Sequence, residues 1–166
     1  MTREEIIMSH RDNDYTKDLI DFYVDKECGK IVVGDPCYNV NNRWNHILNA
    51  MEGEWTSYLY YVGDSYEFLH AHTLDMDPPN KGDVQEEWTL IAVDSGSVGV
   101  LNYNNYKDEH SDDVEWIDFL RELIDEQPED TSNLYGIIQT APHGDGLYDV
   151  LIERYKGKVF SVRIFF

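Results

Sequence analysis

The sequence predicts an α+β domain that is mostly antiparallel β-sheet, a sandwich or a partly open barrel, with one long acidic helix and one short helix. The sheet is predicted by segments in which apolar and polar residues alternate, separated by turns that contain Gly and Asp. The long helix is predicted by an apolar stripe at helical spacing between about 112 and 127. With 166 residues, of which 42% are hydrophobic, the chain is long enough for one core.

The first elements follow from local patterns. Residues 1–17 mix charges with little periodicity, so we expect a mobile N-terminal arm and a single domain over 18–166. Residues 30–33 are β-branched and end at Gly34-Asp35-Pro36, which predicts a strand. Residues 42–51 carry Trp44, Ile47, Leu48 and Met51 at helical spacing, which predicts the short helix.

The later elements are predicted to be mainly strands. Residues 55–62 and 66–73 predict a hairpin across Gly63-Asp64. Residues 88–93 form the clearest candidate for a central strand, and we expect 97–103 to pair with it across Asp94-Ser95-Gly96. After the long helix, three further strands are predicted over 133–140, 147–155 and 158–166, the last two joined by Lys156-Gly157.

The charge of the chain restricts its partners. Asp and Glu total 33 against 13 Lys and Arg, giving a formal net charge of −20. Such a surface repels phosphate backbones and anionic lipids, so we expect no direct binding to nucleic acid and none to a membrane surface. The two cysteines, Cys28 and Cys37, do not form a disulfide framework, which favours a cytoplasmic location.

Three loops place an Asp beside a Gly after a predicted strand: 34–38, 94–96 and 143–148. If the loops meet at one end of the sheet, then Asp35, Asp94, Asp145 and His143 would surround one cavity. Carboxylates gathered in this way would hold a divalent metal or act as acid and base; otherwise we expect no cofactor. The simpler interpretation is that Asp and Gly are ordinary turn residues.

The same loops carry motifs that resemble those of a family of uncharacterised bacterial and phage proteins. The motifs are Gly34-Asp35-Pro36-Cys37-Tyr38, Val93-Asp94-Ser95-Gly96 and Gly144-Asp145-Gly146-Leu147-Tyr148. The resemblance covers roughly 30–166 and departs from the family pattern at Asp149, where the family usually has proline. It implies a fold and a pocket rather than an activity. The residues that it transfers are Asp35, Tyr38, Asp94, Gly96, Gly144, Asp145, Gly146 and Tyr148.

Two histidines share one face of a predicted strand. His70 and His72 are two residues apart, and Asp75 and Asp77 follow. His and carboxylate groups are suitable ligands for zinc or manganese, so this segment is a candidate for part of a metal site. Histidines on a solvated strand face are the more ordinary interpretation.

The predicted long helix has a strongly acidic face opposite its apolar stripe. A row of carboxylates can imitate the phosphate backbone of a nucleic acid, although a solubilising face of this kind is common. The acidic residues are Asp112, Asp113, Glu115, Asp118, Glu122, Asp125 and Glu126.

Three classes of function are compatible with these features. The favoured hypothesis is a non-catalytic binding or inhibitor protein that sequesters a small ligand or docks on a host protein. Its pocket would be formed by the Gly-Asp loops with His143 and lined by Tyr38 and Tyr148. The alternatives are an acidic decoy of a nucleic-acid-binding host enzyme and a small metal-dependent hydrolase. The sequence leaves the oligomeric state open.

Overall fold

A computed structural model describes residue 5 and residues 14–19, 21–27, 29–38, 42–74, 76–77, 79–103 and 136–166. From Asp14 onward, these residues contain eleven strands and one complete 3-10 turn, Lys81–Asp83. The strands are β1 (Asp14–Asp18), β2 (Phe22–Val24), β3 (Lys30–Gly34), β4 (His46–Asn49), β5 (Gly53–Val62), β6 (Ser65–Thr73), β7 (Val84–Val93), β8 (Ser97–Asn102), β9 (Gly136–Thr140), β10 (Gly146–Tyr155) and β11 (Lys158–Phe165).

The strands form two antiparallel sheets. The large sheet has the order β1-β5-β6-β11-β10-β7, and β2 pairs with a second stretch of β5. The small sheet has the order β4-β3-β8-β9. Buried side chains from both sheets belong to one hydrophobic cluster, which includes Trp55 and Ile164 of the large sheet and Ile31 and Val100 of the small sheet. The described chain is therefore a two-layer β-sandwich.

The predicted α+β class is wrong, because the described residues are nearly all antiparallel sheet. The short helix predicted over 42–51 is instead a turn followed by β4. Leu48 and Ala50 are buried there, whereas the residues on either side of Leu48 are not. This period of two is that of a strand, and it overrides the helical spacing of the apolar residues. The long helix predicted over 112–127 lies outside the described residues.

The predicted position of β7 is also wrong. Within the part of the chain that the structure describes, β7 pairs with β10 alone and is the edge of the large sheet, whereas β8 pairs with β3 and β9 in the small sheet. The turn Asp94-Ser95-Gly96 therefore carries the chain from one sheet to the other. The side chains of Trp88 and Leu90 are exposed, as expected for an edge strand.

Two predicted hairpins are confirmed. β5 and β6 pair across Gly63-Asp64, and β10 and β11 pair across Lys156-Gly157. Both turn residues of the second hairpin have positive φ (49° and 80°), the conformation of a type I′ turn, whose twist matches that of the strands. At the other end of the chain, residues 14–17 of the expected N-terminal arm belong to β1, which pairs with β5.

The outer face of the large sheet, turned away from the small sheet, carries a second apolar cluster. Tyr60, Phe68, Leu151 and Phe165 are buried there, with the rings of Tyr60 and Phe68 stacked at 4.8 Å. The ring of Trp88 lies 5.3 Å from that of Phe165 and extends this cluster to the sheet edge. The described residues include no helix long and apolar enough to cross a membrane.

Candidate functional site

The three Gly-Asp loops lie at the same end of the sandwich. The strand pairs that place them there are Gly34↔Gly99, Ser97↔Thr140 and Gly146↔Val93. The amide of Ala141 also donates a hydrogen bond to the carbonyl of Gly96 at 2.8 Å, which joins the second loop to the third. The topology therefore brings these loops together, although their side chains have different surroundings.

Asp35 holds two of the loops together. Asp35 is 2% exposed, and its carboxylate accepts hydrogen bonds from the amides of Cys37 (3.0 Å), Asp94 (2.9 Å) and Ser95 (2.8 Å). The hydroxyl of Ser95 donates a fourth at 2.6 Å. Both carboxylate oxygens are thus engaged by groups of the protein. This arrangement gives Asp35 a structural role and does not favour its action as a general base.

Asn45 fixes the backbone of the same loop. The amide of Asp35 donates to Asn45 Oδ1 at 3.0 Å, and Asn45 Nδ2 donates to the carbonyl of Asp35 at 3.3 Å. A Cβ atom at Gly34 would lie 2.1 Å from Asn45 Oδ1, so glycine is required for this close approach.

Tyr38 and Asp94 line a small hollow of about 240 Å³ together with Asp35, Asn42, Trp44, Asn45 and Ala92. The Tyr38 hydroxyl donates a hydrogen bond to Asp94. This bond, with partial burial and the negative charge of Asp94, raises the pKa of Tyr38 to about 12. His143 and Asp145 are exposed and do not line the hollow. Among the described residues, no three His, Cys, Asp or Glu side chains form a group that could hold a metal ion.

Tyr148 is buried beneath the third loop instead of lining an open pocket. It is 5% exposed, and its hydroxyl donates to the carbonyl of Gly144 at 2.6 Å. Its ring packs edge-on against Phe166 at 5.6 Å, and burial raises its pKa. Tyr148 therefore fixes the Gly144–Gly146 segment, and Tyr38 and Tyr148 do not form one aromatic-lined site.

The pKa of Tyr38 offers a direct test of the contact with Asp94. We expect Asp94→Asn to lower this pKa from about 12 toward the ordinary value of 10, because the substitution removes the charged acceptor that stabilises the protonated hydroxyl. NMR titration of tyrosine rings, assigned with Tyr38→Phe, measures the shift. Asp64→Asn, in an exposed turn, serves as the control. An unchanged Tyr38 pKa in Asp94→Asn would contradict the contact.

A much larger cavity lies on the outer face of the large sheet. This groove has a volume of about 980 Å³. Polar side chains form its base, the edge strand β7 contributes Glu86 and Trp88, and the connection from β6 to β7 contributes Leu74, Met76, Pro79 and Lys81. The residues at the base are His70, His72, Glu153, Ser161 and Arg163. Except for the two histidines, the sequence analysis did not identify these residues.

The base of the groove is a continuous hydrogen-bonded network. His70 contacts the Tyr58 hydroxyl through Nδ1 and the Ser161 hydroxyl through Nε2, both at 2.8 Å. Ser161 donates to Glu153 at 3.0 Å, and Arg163 donates to the same oxygen at 2.7 Å. Burial, helped by the charges of Arg163 and His72, holds the pKa of His70 well below its ordinary value. A neutral His70 that accepts from Tyr58 and donates to Ser161 accounts for both of its hydrogen bonds.

The histidine pair is placed as predicted, and among the described residues it does not belong to a group of three or more His, Cys, Asp or Glu side chains that could hold a metal ion. The rings of His70 and His72 lie on the same face with centroids 4.7 Å apart. Both ring nitrogens of His70 are engaged by Tyr58 and Ser161, which leaves no lone pair for a metal ion. Of the two predicted carboxylate ligands, Asp77 is exposed and Asp75 lies outside the described residues.

The low pKa of His70 makes stability depend on pH. Below about pH 6.5 the unfolded chain binds a proton that the folded chain rejects, so stability falls as the pH decreases, by up to about 1.4 kcal/mol per pH unit. We expect His70→Gln to remove this contribution, leaving a shallower loss of stability in acid. Urea unfolding across the pH range measures it, with the exposed His143→Gln as control. Parallel curves for wild type and His70→Gln would contradict the buried neutral histidine.

Comparisons with protein-family profiles, curated proteins and solved structures find no match for this chain. The family resemblance of the Gly-Asp motifs therefore stays a prediction. The fold and its cavities define a two-layer β-sandwich with an open groove on one sheet face and a small hollow at one end.

Proposed function

We propose that this chain is a non-catalytic binding protein whose ligand occupies the groove on the outer face of the large sheet. The observation that carries this proposal is the groove itself. Its volume of about 980 Å³ lies within the range of about 300–1,000 Å³ that is typical of ligand sites. Trp88, which is 44% exposed, provides an aromatic surface beside the polar base.

The hydrogen bonding at the base favours binding over catalysis. Ser161 is 3% exposed and donates its proton to Glu153, while His70 is neutral and donates to Ser161. A histidine that donates to a serine is not arranged to deprotonate it. The network instead holds its side chains in fixed positions before a ligand arrives, which lowers the entropic cost of binding.

This proposal moves the binding site away from the Gly-Asp loops. The hollow there holds only about 240 Å³, and the Asp35 carboxylate is committed to four hydrogen bonds. The same commitment gives no support to a metal-dependent hydrolase at this end of the sandwich. The acidic decoy depends on residues 112–126, which lie outside the described part of the chain. The cytosol is the proposed location on the cysteine content alone.

Fragment screening by ligand-detected NMR tests the proposal with two matched variants. Trp88→Ala removes the aromatic wall of the groove, and Trp44→Ala removes a comparably exposed tryptophan that lines the hollow. We expect fragments that bind the wild type to lose binding in Trp88→Ala and to keep it in Trp44→Ala. Loss of binding in Trp44→Ala but not in Trp88→Ala would place the binding site in the hollow. Binding that survives both substitutions would overturn the proposal.

A further inference from the structure

Within the described part of the chain, the strand that forms one wall of the groove has a partner strand on one side only. Among the described residues, β7 pairs only with β10, and their register is unbroken. The carbonyl of Leu90 accepts a hydrogen bond from His46 Nε2 at 2.8 Å, so it points away from β10. Backbone groups alternate in direction along an antiparallel strand. Trp88 and Glu86 therefore also direct their N–H and C=O groups toward the side of β7 that faces away from β10.

The same two residues line the groove with their side chains. Glu86 and Trp88 are both exposed and lie two residues apart on the outer face of the sheet. A chain that paired with β7 at this position would run alongside the groove. Every second side chain of that chain would then lie on the same face as Trp88.

Charge indicates what kind of chain fits. The protein carries a formal charge of −20. Within the groove, Arg163 forms an ion pair with Glu153 at 2.7 Å, with both side chains largely buried. The other charged residues that line the groove are Glu5, Glu86 and Lys81, so carboxylates outnumber ammonium groups there. The general field and the local charges both favour a cationic occupant.

Trp88 adds a second reason for a cation. Its ring is partly exposed, and an ammonium or guanidinium group over the face of a tryptophan is attracted by the electrons of the ring. The neighbouring Glu86 would pair with the same group. A second copy of this chain is a poor occupant, because it carries the same formal charge of −20 and its β7 presents the acidic residues Glu86 and Glu87 where a basic segment is needed.

We propose that β7 accepts an extended, basic segment of a partner protein as an added strand, with a lysine or arginine side chain over Trp88 beside Glu86. The inference rests on the proposed function of the groove and names its occupant. Backbone hydrogen bonds to the side of β7 that faces away from β10 would supply affinity, and the groove would select the basic side chain.

Synthetic peptides test the proposal on the full chain by isothermal titration calorimetry at physiological salt. The probe is a capped octapeptide of alternating Lys and Val, compared with a Glu-Val octapeptide and with a Lys-Val octapeptide that is N-methylated at every residue. We expect the first to bind, the Glu peptide not to bind, and the N-methylated peptide to bind at least tenfold more weakly because it has no backbone donors.

Two variants separate the groove from general charge attraction. Glu86→Gln is expected to weaken binding of the Lys-Val peptide several-fold, and Asp64→Asn, which removes one charge from an exposed turn, is expected to leave it unchanged. Equal losses in both variants, or undiminished binding of the N-methylated peptide, would overturn the strand-addition proposal. If no peptide binds while fragments still require Trp88, the added strand is wrong and the proposed function stands.

Discussion

Replacing Asp35 with alanine is expected to lower the free energy of unfolding by roughly 3–5 kcal/mol. The substitution leaves three backbone amides and the Ser95 hydroxyl without the shared acceptor that the buried Asp35 provides. It also releases the turn that carries the chain from β7 to β8. Urea unfolding followed by tryptophan fluorescence measures the loss as a lower midpoint at unchanged slope.

Asp64→Ala is the matched control, because it removes a carboxylate from an exposed turn and should change stability by no more than about 0.5 kcal/mol. Asp35→Asn should fall between the two, since its one carbonyl oxygen replaces only part of the acceptor set. If Asp35→Ala were as stable as the control, the turn would be held by other contacts, and Asp35 would again be available for chemistry.

Gly136→Ala is expected to cost roughly 3–6 kcal/mol, the sum of backbone strain and overpacking. Gly136 has a φ of 145°, and a Cβ atom there would lie 2.1 Å from the carbonyl oxygen of Val100 and 2.5 Å from the Cα of Leu101. Both obstacles are backbone atoms of β8, so the strand pair must separate to admit the methyl group. The same urea titration measures the effect.

Gly82→Ala provides the comparison, because no atom outside its chain neighbours lies within 4 Å of the added carbon and its φ requires no glycine. We expect its stability to stay within about 0.5 kcal/mol of wild type. If Gly136→Ala lowered the free energy of unfolding no more than Gly82→Ala does, then β9 would not lie so close to the backbone of β8 at Gly136.

The sequence predicted those parts of the fold that depend on neighbouring residues. The β5–β6 and β10–β11 hairpins were found because turn residues with positive φ lie between segments of alternating polarity. The β7–β8 pairing was wrong because a short turn between two strands has the same composition whether it closes a hairpin or crosses between sheets. Pairing partners distant in the chain decide between these cases.

The candidate site was predicted only in part. The sequence indicates Asp35, Asp94 and Tyr38 as site residues, and the structure brings them together. The carboxylate of Asp35, however, accepts hydrogen bonds from the turn at Asp94 and Ser95. The groove was missed because its base comes from side chains on several strands that are far apart in sequence. One available signal was the apolar character of Trp88 and Leu90 at positions where a solvated strand face is normally polar.

The position of β11 has a consequence for how the chain reaches its fold. β11 is the last of the described strands in sequence, yet it lies between β6 and β10 inside the large sheet. During synthesis on a ribosome, the β5–β6 hairpin and the β10–β7 pair have no connection through the sheet until β11 has been made. The contact order is therefore high, and such topologies fold in milliseconds to seconds. Until β11 is in place, the facing edges of β6 and β10 have no partner strand, so they can bind chaperones or aggregate.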